Sequence, residues 1–260
     1  MLTAKSKILI IDECHQAFLE ILDGKELHYR PDIELAELEE IIDHYEVLIL
    51  RSKLNLDKKW LDRAKRLKLI GRLGSGLDNI DVDYAQTKGI LCLNAPEGNR
   101  AAVAEQSIGM LLSLLSNIHK SSLEVKENIW NRKGNSGTEL SACTVGIIGY
   151  GNVGSALAGR LQAFGCRILA YDLYKTDFSS ETVEEVSLEE LQKRANVISL
   201  HVPLNEHSMS MLDAEFIAKV QRPFYLLNLS RGQVVDSNAL KTGLEEGKIL
   251  GLGMDVFEEE

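Results

Sequence analysis

The 260-residue chain is 45% hydrophobic and carries a formal net charge of −10 at pH 7, enough apolar material for packed cores in one large domain or two moderate ones. The acidic balance argues against nucleic acid as the main partner. The apolar run that follows the N-terminus, Ile8–Ile11, is too short for a signal peptide or a membrane span. The four cysteines (Cys14, Cys92, Cys143, Cys166) form no CxxC pair, so reduced thiols, a cytoplasmic setting and no metal site are expected.

Short apolar runs alternate with amphipathic stretches along the chain. Strands are predicted over Lys7–Asp12, Glu26–Tyr29, Val47–Arg51, Leu67–Arg72 and Ile90–Leu93, with helices at Ile33–Asp43 and Asp57–Ala64. Asp57 precedes its helix as an N-cap. The basic residues between Lys58 and Arg72 read either as a solvated helix face or as a field that draws anions to a cleft. Leu73-Gly-Ser-Gly-Leu-Asp-Asn-Ile80 is a Gly-rich loop after a strand. Its N–H groups suit an anion such as a carboxylate, and a plain turn is the competing reading. A domain boundary is placed at Asn94–Glu97, giving units 1–95 and 96–260.

Asn99–Asn128 lacks proline, and its apolar residues recur at helical spacing. It reads as one long amphipathic helix or two with a kink. Its apolar face exceeds what a lone crossover needs. A symmetric homodimer burying Leu111, Leu112, Leu115 or their neighbours is expected, with packing inside one chain as the alternative.

The strand Thr144–Gly149 then runs into Gly149-Tyr-Gly-Asn-Val-Gly154, a helix over Asn152–Phe164, and the strand Arg167–Asp172. Gly149 permits the tight turn, Gly151 lets a pyrophosphate approach the backbone, and Gly154 lets the helix pack close to the sheet. The N–H groups of Asn152, Val153 and Gly154 open that helix towards phosphates. Asp172 stands about 20 residues on, where an acidic residue accepts ribose hydroxyls and repels a 2′-phosphate. NAD is therefore expected over NADP, and Lys175 reads as a solvated loop charge.

Beyond it, Ser187 caps a helix to Ala195, and the strand Asn196–Val202 carries His201 to a stop at Pro203. His201 reads as structural or cofactor-contacting. Asp213 caps a further helix. The strand Phe224–Leu229 ends near Arg231, whose guanidinium could fork onto a carboxylate or form a structural salt bridge. A helix over Ser237–Glu246 and a strand over Leu250–Asp255 follow, and Glu260 closes a run of three glutamates. The alternation implies an α/β protein of two doubly wound parallel-sheet domains, the second a Rossmann dinucleotide-binding domain.

Several motifs, in this order and spacing, resemble the D-2-hydroxyacid dehydrogenase family, and within it the D-3-phosphoglycerate dehydrogenase branch. They are Leu50-Arg-Ser52, Gly71-Arg-Leu-Gly-Ser-Gly-Leu-Asp-Asn-Ile-Asp81, Asn94-Ala-Pro96, Asn99-Arg100 with Val103-Ala-Glu105, Gly146-Ile-Ile-Gly-Tyr-Gly-Asn-Val-Gly154, Ser199-Leu-His-Val-Pro203, Asn228-Leu-Ser-Arg-Gly232 and Met254-Asp-Val-Phe257. The resemblance implies hydride transfer between NAD and a small D-2-hydroxy acid, D-3-phosphoglycerate foremost, the first step of serine biosynthesis. It makes the first unit the N-terminal part of a substrate-binding domain and the second a C-terminally incomplete NAD-binding domain. Arg231 would bind the substrate, and Glu260 would pair with the catalytic histidine. Ser75 and Gly76 would offer N–H groups to the substrate carboxylate. Arg51 and Ser52 match positions near the substrate phosphate, and Asn99 one near substrate and cofactor. Asp255 would contact the nicotinamide carboxamide, with Leu229 and Ser230 lining its pocket and His201 and Pro203 at the cofactor edge. The family's acid–base histidine falls beyond Glu260, so the intact protein is expected to continue past it. An NAD-responsive binding protein without turnover is the alternative.

Overall fold

The structure is a computed structural model that describes residues 6–258. The chain divides into two compact units, Met1–Gly98 and Asn99–Glu260.

Unit 1 holds β1 (Ile8–Ile10), α1 (Gln16–Ile21), β2 (Leu27–Tyr29), α2 (Leu35–Ile41), β3 (Val47–Leu50), α3 (Lys58–Arg63), β4 (Leu69–Arg72), α4 (Val82–Thr87) and β5 (Leu91–Asn94). The sheet is parallel, in the order β2-β1-β3-β4-β5. Successive side chains of a strand point to opposite faces. Leu9, Leu48 and Leu50 accordingly join one apolar core, and Ile8, Ile10, Val47 and Ile49 join another. Burial on both faces is why β1 and β3 read as unbroken apolar runs rather than alternating ones. Asp57 and Asp81 cap α3 and α4 by accepting from the N–H groups of Trp60 and Tyr84, both at 3.0 Å. The direction of winding reverses between β1 and β3, and ligands of open α/β sheets bind in the crevice at the carboxyl ends of such a pair.

Unit 2 opens with α5 (Arg100–Leu115) and α6 (Ile118–Lys126), followed by β6 (Thr144–Ile148), α7 (Asn152–Leu161), β7 (Arg167–Tyr171) and β8 (Val183–Glu185). Then come α8 (Leu188–Arg194), β9 (Val197–Leu200), α9 (Ala214–Lys219), β10 (Phe224–Asn228), α10 (Ser237–Glu245) and β11 (Ile249–Met254). The sheet runs β11-β10-β9-β6-β7-β8, all parallel, with its switch point between β6 and β9. This is the strand order of dinucleotide-binding sheets. Two apolar cores again flank it, with Val145, Ile147 and Leu227 in one and Ile148, Ile198 and Leu226 in the other.

Two features differ from the sequence reading, and a third decides between its alternatives. A sixth strand, β8, forms a short edge with a single apolar anchor, Val183, buried at 2% exposure. The helical region breaks at Asn117, whose φ of 53° is left-handed, and the two helices meet at a 57° bend. Leu111 and Leu115 are each 1% exposed inside unit 2 itself, so neither is free to face a partner. The exposed apolar side chains lie further on, at Ile118, Leu123, Val125, Ile129 and Trp130. Among the described residues no single helix is long and apolar enough to cross a membrane.

Candidate cofactor and substrate sites

The glycine turn sits at the carboxyl end of β6, at the switch point. Gly149 has φ of 94°, and a Cβ there would lie 2.5 Å from the His201 carbonyl oxygen. A Cβ on Gly154 would lie 2.1 Å from the Gly149 carbonyl oxygen. Only glycine allows the turn to close on the strand and α7 to start against it. At Gly151, by contrast, a Cβ would meet nothing within 4 Å, so this backbone faces open space. No side chain caps α7, and the N–H groups of Asn152, Val153 and Gly154 form its first turn, which has no intrahelical acceptor. An open, uncapped helix N-terminus fits a pyrophosphate.

Asp172, just past β7, has a task that its sequence position does not reveal. Its Oδ2 accepts from the Tyr150 N–H at 2.7 Å, and its Oδ1 from Tyr174 and Lys175 N–H at 2.9 and 3.0 Å. The carboxylate thus ties the glycine turn to the loop after β7. Of its four or so acceptor positions, these bonds take three and leave one open. Lys175 is not merely solvated. Its Nζ lies 5.0 Å from the centroid of the Tyr150 ring, which stacks on Phe178 at 4.4 Å.

His201 leaves β9 beside this turn. Its Nε2 is 2.8 Å from Ser199 Oγ, and burial pushes its pKa from 6.5 down to about 4. The ring is therefore neutral near pH 7 and unsuited to be a proton-carrying acid there. Pro203 is exposed, and its carbonyl accepts from Ser208 Oγ at 2.5 Å. At the end of β10, Asn228 is fully buried. Its Oδ1 accepts from the Ser230 N–H and hydroxyl at 3.1 and 2.8 Å, and its Nδ2 donates to the Arg231 carbonyl at 2.9 Å. These bonds fix the Leu229–Arg231 loop, and Arg231 Nη1 donates to the Ser230 carbonyl at 2.7 Å. Gly232 lets the segment after β11 pass close by, since a Cβ there would overlap the Phe257 carbonyl. Asp255 accepts from Gln106 Nε2 at 2.6 Å. Asn99 precedes α5 and makes no side-chain cap bond. Glu260 lies outside the described residues.

In unit 1, Arg51 and Ser52 form an exposed turn at the carboxyl end of β3, beside the switch point. Lys53 is turned away from it, its Nζ donating to the Pro31 and Ile33 carbonyls. Ser75 and Gly76 lie in the loop after β4, where Asn94 Nδ2 donates to the Ser75 carbonyl at 2.6 Å. Among the described residues, no protein acceptor takes the Ser75 or Gly76 N–H. The structure thus groups Arg51 and Ser52 at one switch point, and the glycine turn, Asp172 and His201 at another. The sequence reading assigns no role of their own to Gln106 and Asn228. Only Asn228 carried a signal, its place in the Asn-Leu-Ser-Arg-Gly motif.

Residues 108–260 match the family described as D-isomer specific 2-hydroxyacid dehydrogenase, NAD binding domain. A D-3-phosphoglycerate dehydrogenase of Methanocaldococcus jannaschii is 39% identical over 98% of this chain and 49% of its own length. The chain thus spans about half the length of such curated relatives. A hydroxypyruvate reductase of Thermotoga maritima is 40% identical over 88% of this chain and 74% of its own length. Among solved structures, a D-lactate dehydrogenase of Aquifex aeolicus, complexed with NAD and lactic acid, superposes with a TM-score of 0.85 at 33% identity, covering 97% of this chain and 78% of that one. Fold, strand order, glycine turn and these likenesses agree: the chain belongs to the D-2-hydroxyacid dehydrogenase family and carries its NAD-binding domain.

Proposed function

We propose that the intact protein is an NAD-dependent oxidoreductase of a small D-2-hydroxy acid bearing a phosphate, D-3-phosphoglycerate foremost. The names of its relatives divide between phosphorylated and unphosphorylated substrates. The observation that favours phosphate is the Arg51–Ser52 turn, which sets a guanidinium and a hydroxyl at the unit 1 switch point, where a fork can meet phosphate oxygens bidentately.

Bound NAD supplies the hydride acceptor. The α7 N-terminus holds the pyrophosphate, and Asp172 holds a ribose hydroxyl while repelling a 2′-phosphate. Asp255 takes the carboxamide, and the Leu229–Ser230 backbone lines the nicotinamide pocket. Neutral His201 and Pro203 shape the cofactor edge. Unit 1 binds substrate, with Ser75 and Gly76 donating to its carboxylate and Asn99 near both ligands. Arg231 stabilises the charge developing on the substrate oxygen. Glu260 raises the pKa of the histidine expected after it, which takes the hydroxyl proton. The exposed apolar side chains of α6 and Ile129–Trp130 make the interface of a homodimer.

Initial rates of the full-length protein with NAD and a panel of 2-hydroxy acids test this. Highest kcat/KM for D-3-phosphoglycerate supports it. No NADH formation from any of them refutes the activity, and a preference for unphosphorylated acids refutes the substrate.

A further inference from the structure

We infer that Asp12 is a positioning residue for the anion-binding turn, selective for the phosphorylated end of the substrate. The inference rests on the proposed use of Arg51 and Ser52. Asp12 follows β1, and the turn follows β3, its hydrogen-bonded neighbour, with Ile10 paired to Ile49. Asp12 therefore sits on the other lip of the same switch point.

One oxygen of Asp12, Oδ2, accepts from the N–H of Arg51 at 2.6 Å and of Lys53 at 3.4 Å. The turn is held from its other side through carbonyls. Arg72 Nε donates to the Arg51 carbonyl at 3.1 Å, and Asn79 Nδ2 donates to the Arg51 and Leu54 carbonyls at 3.4 and 2.9 Å. Lys53 is anchored below by the carbonyls of Pro31 and Ile33. Three loops thus clamp one turn.

The clamp has a chemical consequence. Alternate N–H groups, those of Arg51 and Lys53, are drawn into Asp12. The N–H between them, on Ser52, is taken by no protein acceptor among the described residues, and neither is the Ser52 hydroxyl. The turn is left presenting one backbone N–H, one hydroxyl and one guanidinium. That trio suits a phosphate. Asp12 supplies order rather than contact, because its carboxylate would repel the ligand it helps to seat. Loss of Asp12 frees the turn, and binding must then order it again.

The test compares D-3-phosphoglycerate with D-glycerate in the full-length enzyme. Asp12→Ala is expected to raise KM for D-3-phosphoglycerate at least tenfold, while kcat and the KM for D-glycerate stay within threefold. Asp12→Asn should return KM to within threefold of wild type, since one amide oxygen can accept both N–H groups. If Asp12→Ala does not fold, Asp12→Glu carries the test, and its displaced carboxylate should give the same selective rise. Parallel losses with both substrates, or Asp12→Asn as impaired as Asp12→Ala, would overturn the inference. A selective loss in Arg51→Ala without one in Asp12→Ala overturns it too, but leaves the proposed substrate standing. A wild-type enzyme indifferent to the phosphate overturns both.

Discussion

Replacing Asp172 probes the largest departure between what its position suggests and what its side chain does. A carboxylate that met only ribose would be silent in the apo protein. Here it accepts three backbone N–H bonds at 2.7, 2.9 and 3.0 Å. Bonds to a charged group contribute roughly 1.5–3 kcal/mol each when buried. Asp172 is partly exposed, which brings each nearer 1 kcal/mol. Asp172→Ala should therefore destabilise unit 2 by about 3 kcal/mol without any ligand. Asp172→Asn keeps one oxygen, serving either the Tyr150 side or the Tyr174–Lys175 side. It should lose about half as much, roughly 1.5 kcal/mol. Urea unfolding of the apo chain followed by circular dichroism measures both. Equal stability of Asp172→Ala and wild type, within about 0.5 kcal/mol, would refute the clamp and return Asp172 to a purely ligand-facing role.

Gly154→Ala sets a Cβ 2.1 Å from the Gly149 carbonyl oxygen, so α7 must move off the turn. Destabilisation of about 3 kcal/mol and at least tenfold weaker NAD binding by calorimetry are expected, and normal binding would contradict the close approach. His201, held near pKa 4 against an ordinary 6.5, contributes stability that is complete above pH 6.5. It is lost as pH falls towards 4, because only the unfolded chain takes up the proton in that window, to a limit of about 3 kcal/mol. His201→Asn should flatten that part of the stability curve, and an unchanged curve would refute the assignment. Val125→Asp with Trp130→Ala should convert the full-length protein to a monomer in sedimentation, whereas a monomeric wild type at micromolar concentration would rule out the dimer.

The legibility of these features follows from where their cause lies. Gly149 and Gly154 are readable because a turn with φ of 94° and a 2.1 Å approach exclude every side chain, so the chemistry is written in the residue type. The buried runs of β3 and β9 are readable for a similar reason, since both faces of a parallel sheet demand apolar residues. β8 was not readable, because an edge strand of three residues needs only one anchor, Val183. The split of α5 from α6 turns on one left-handed residue, Asn117, within a pattern that either reading satisfied. Leu111 and Leu115 looked available to a partner because helical spacing shows that a face is apolar, not which neighbour covers it. The roles of Asp12, Asp172 and Asn228 as backbone clamps depend on N–H groups from distant segments. Gln106 reaches Asp255 across 149 residues of chain. No local pattern encodes such partners.

The crevice between β6 and β9 is the NAD site. Parallel calorimetric titrations of the 260-residue chain with NAD and NADP test it. One bond to a ribose hydroxyl and repulsion of a 2′-phosphate by Asp172 predict NAD binding at least tenfold tighter, about 1.4 kcal/mol, with the preference collapsing in Asp172→Ala. NADP binding as tightly as NAD to the unmodified chain, or no heat from either, would contradict it.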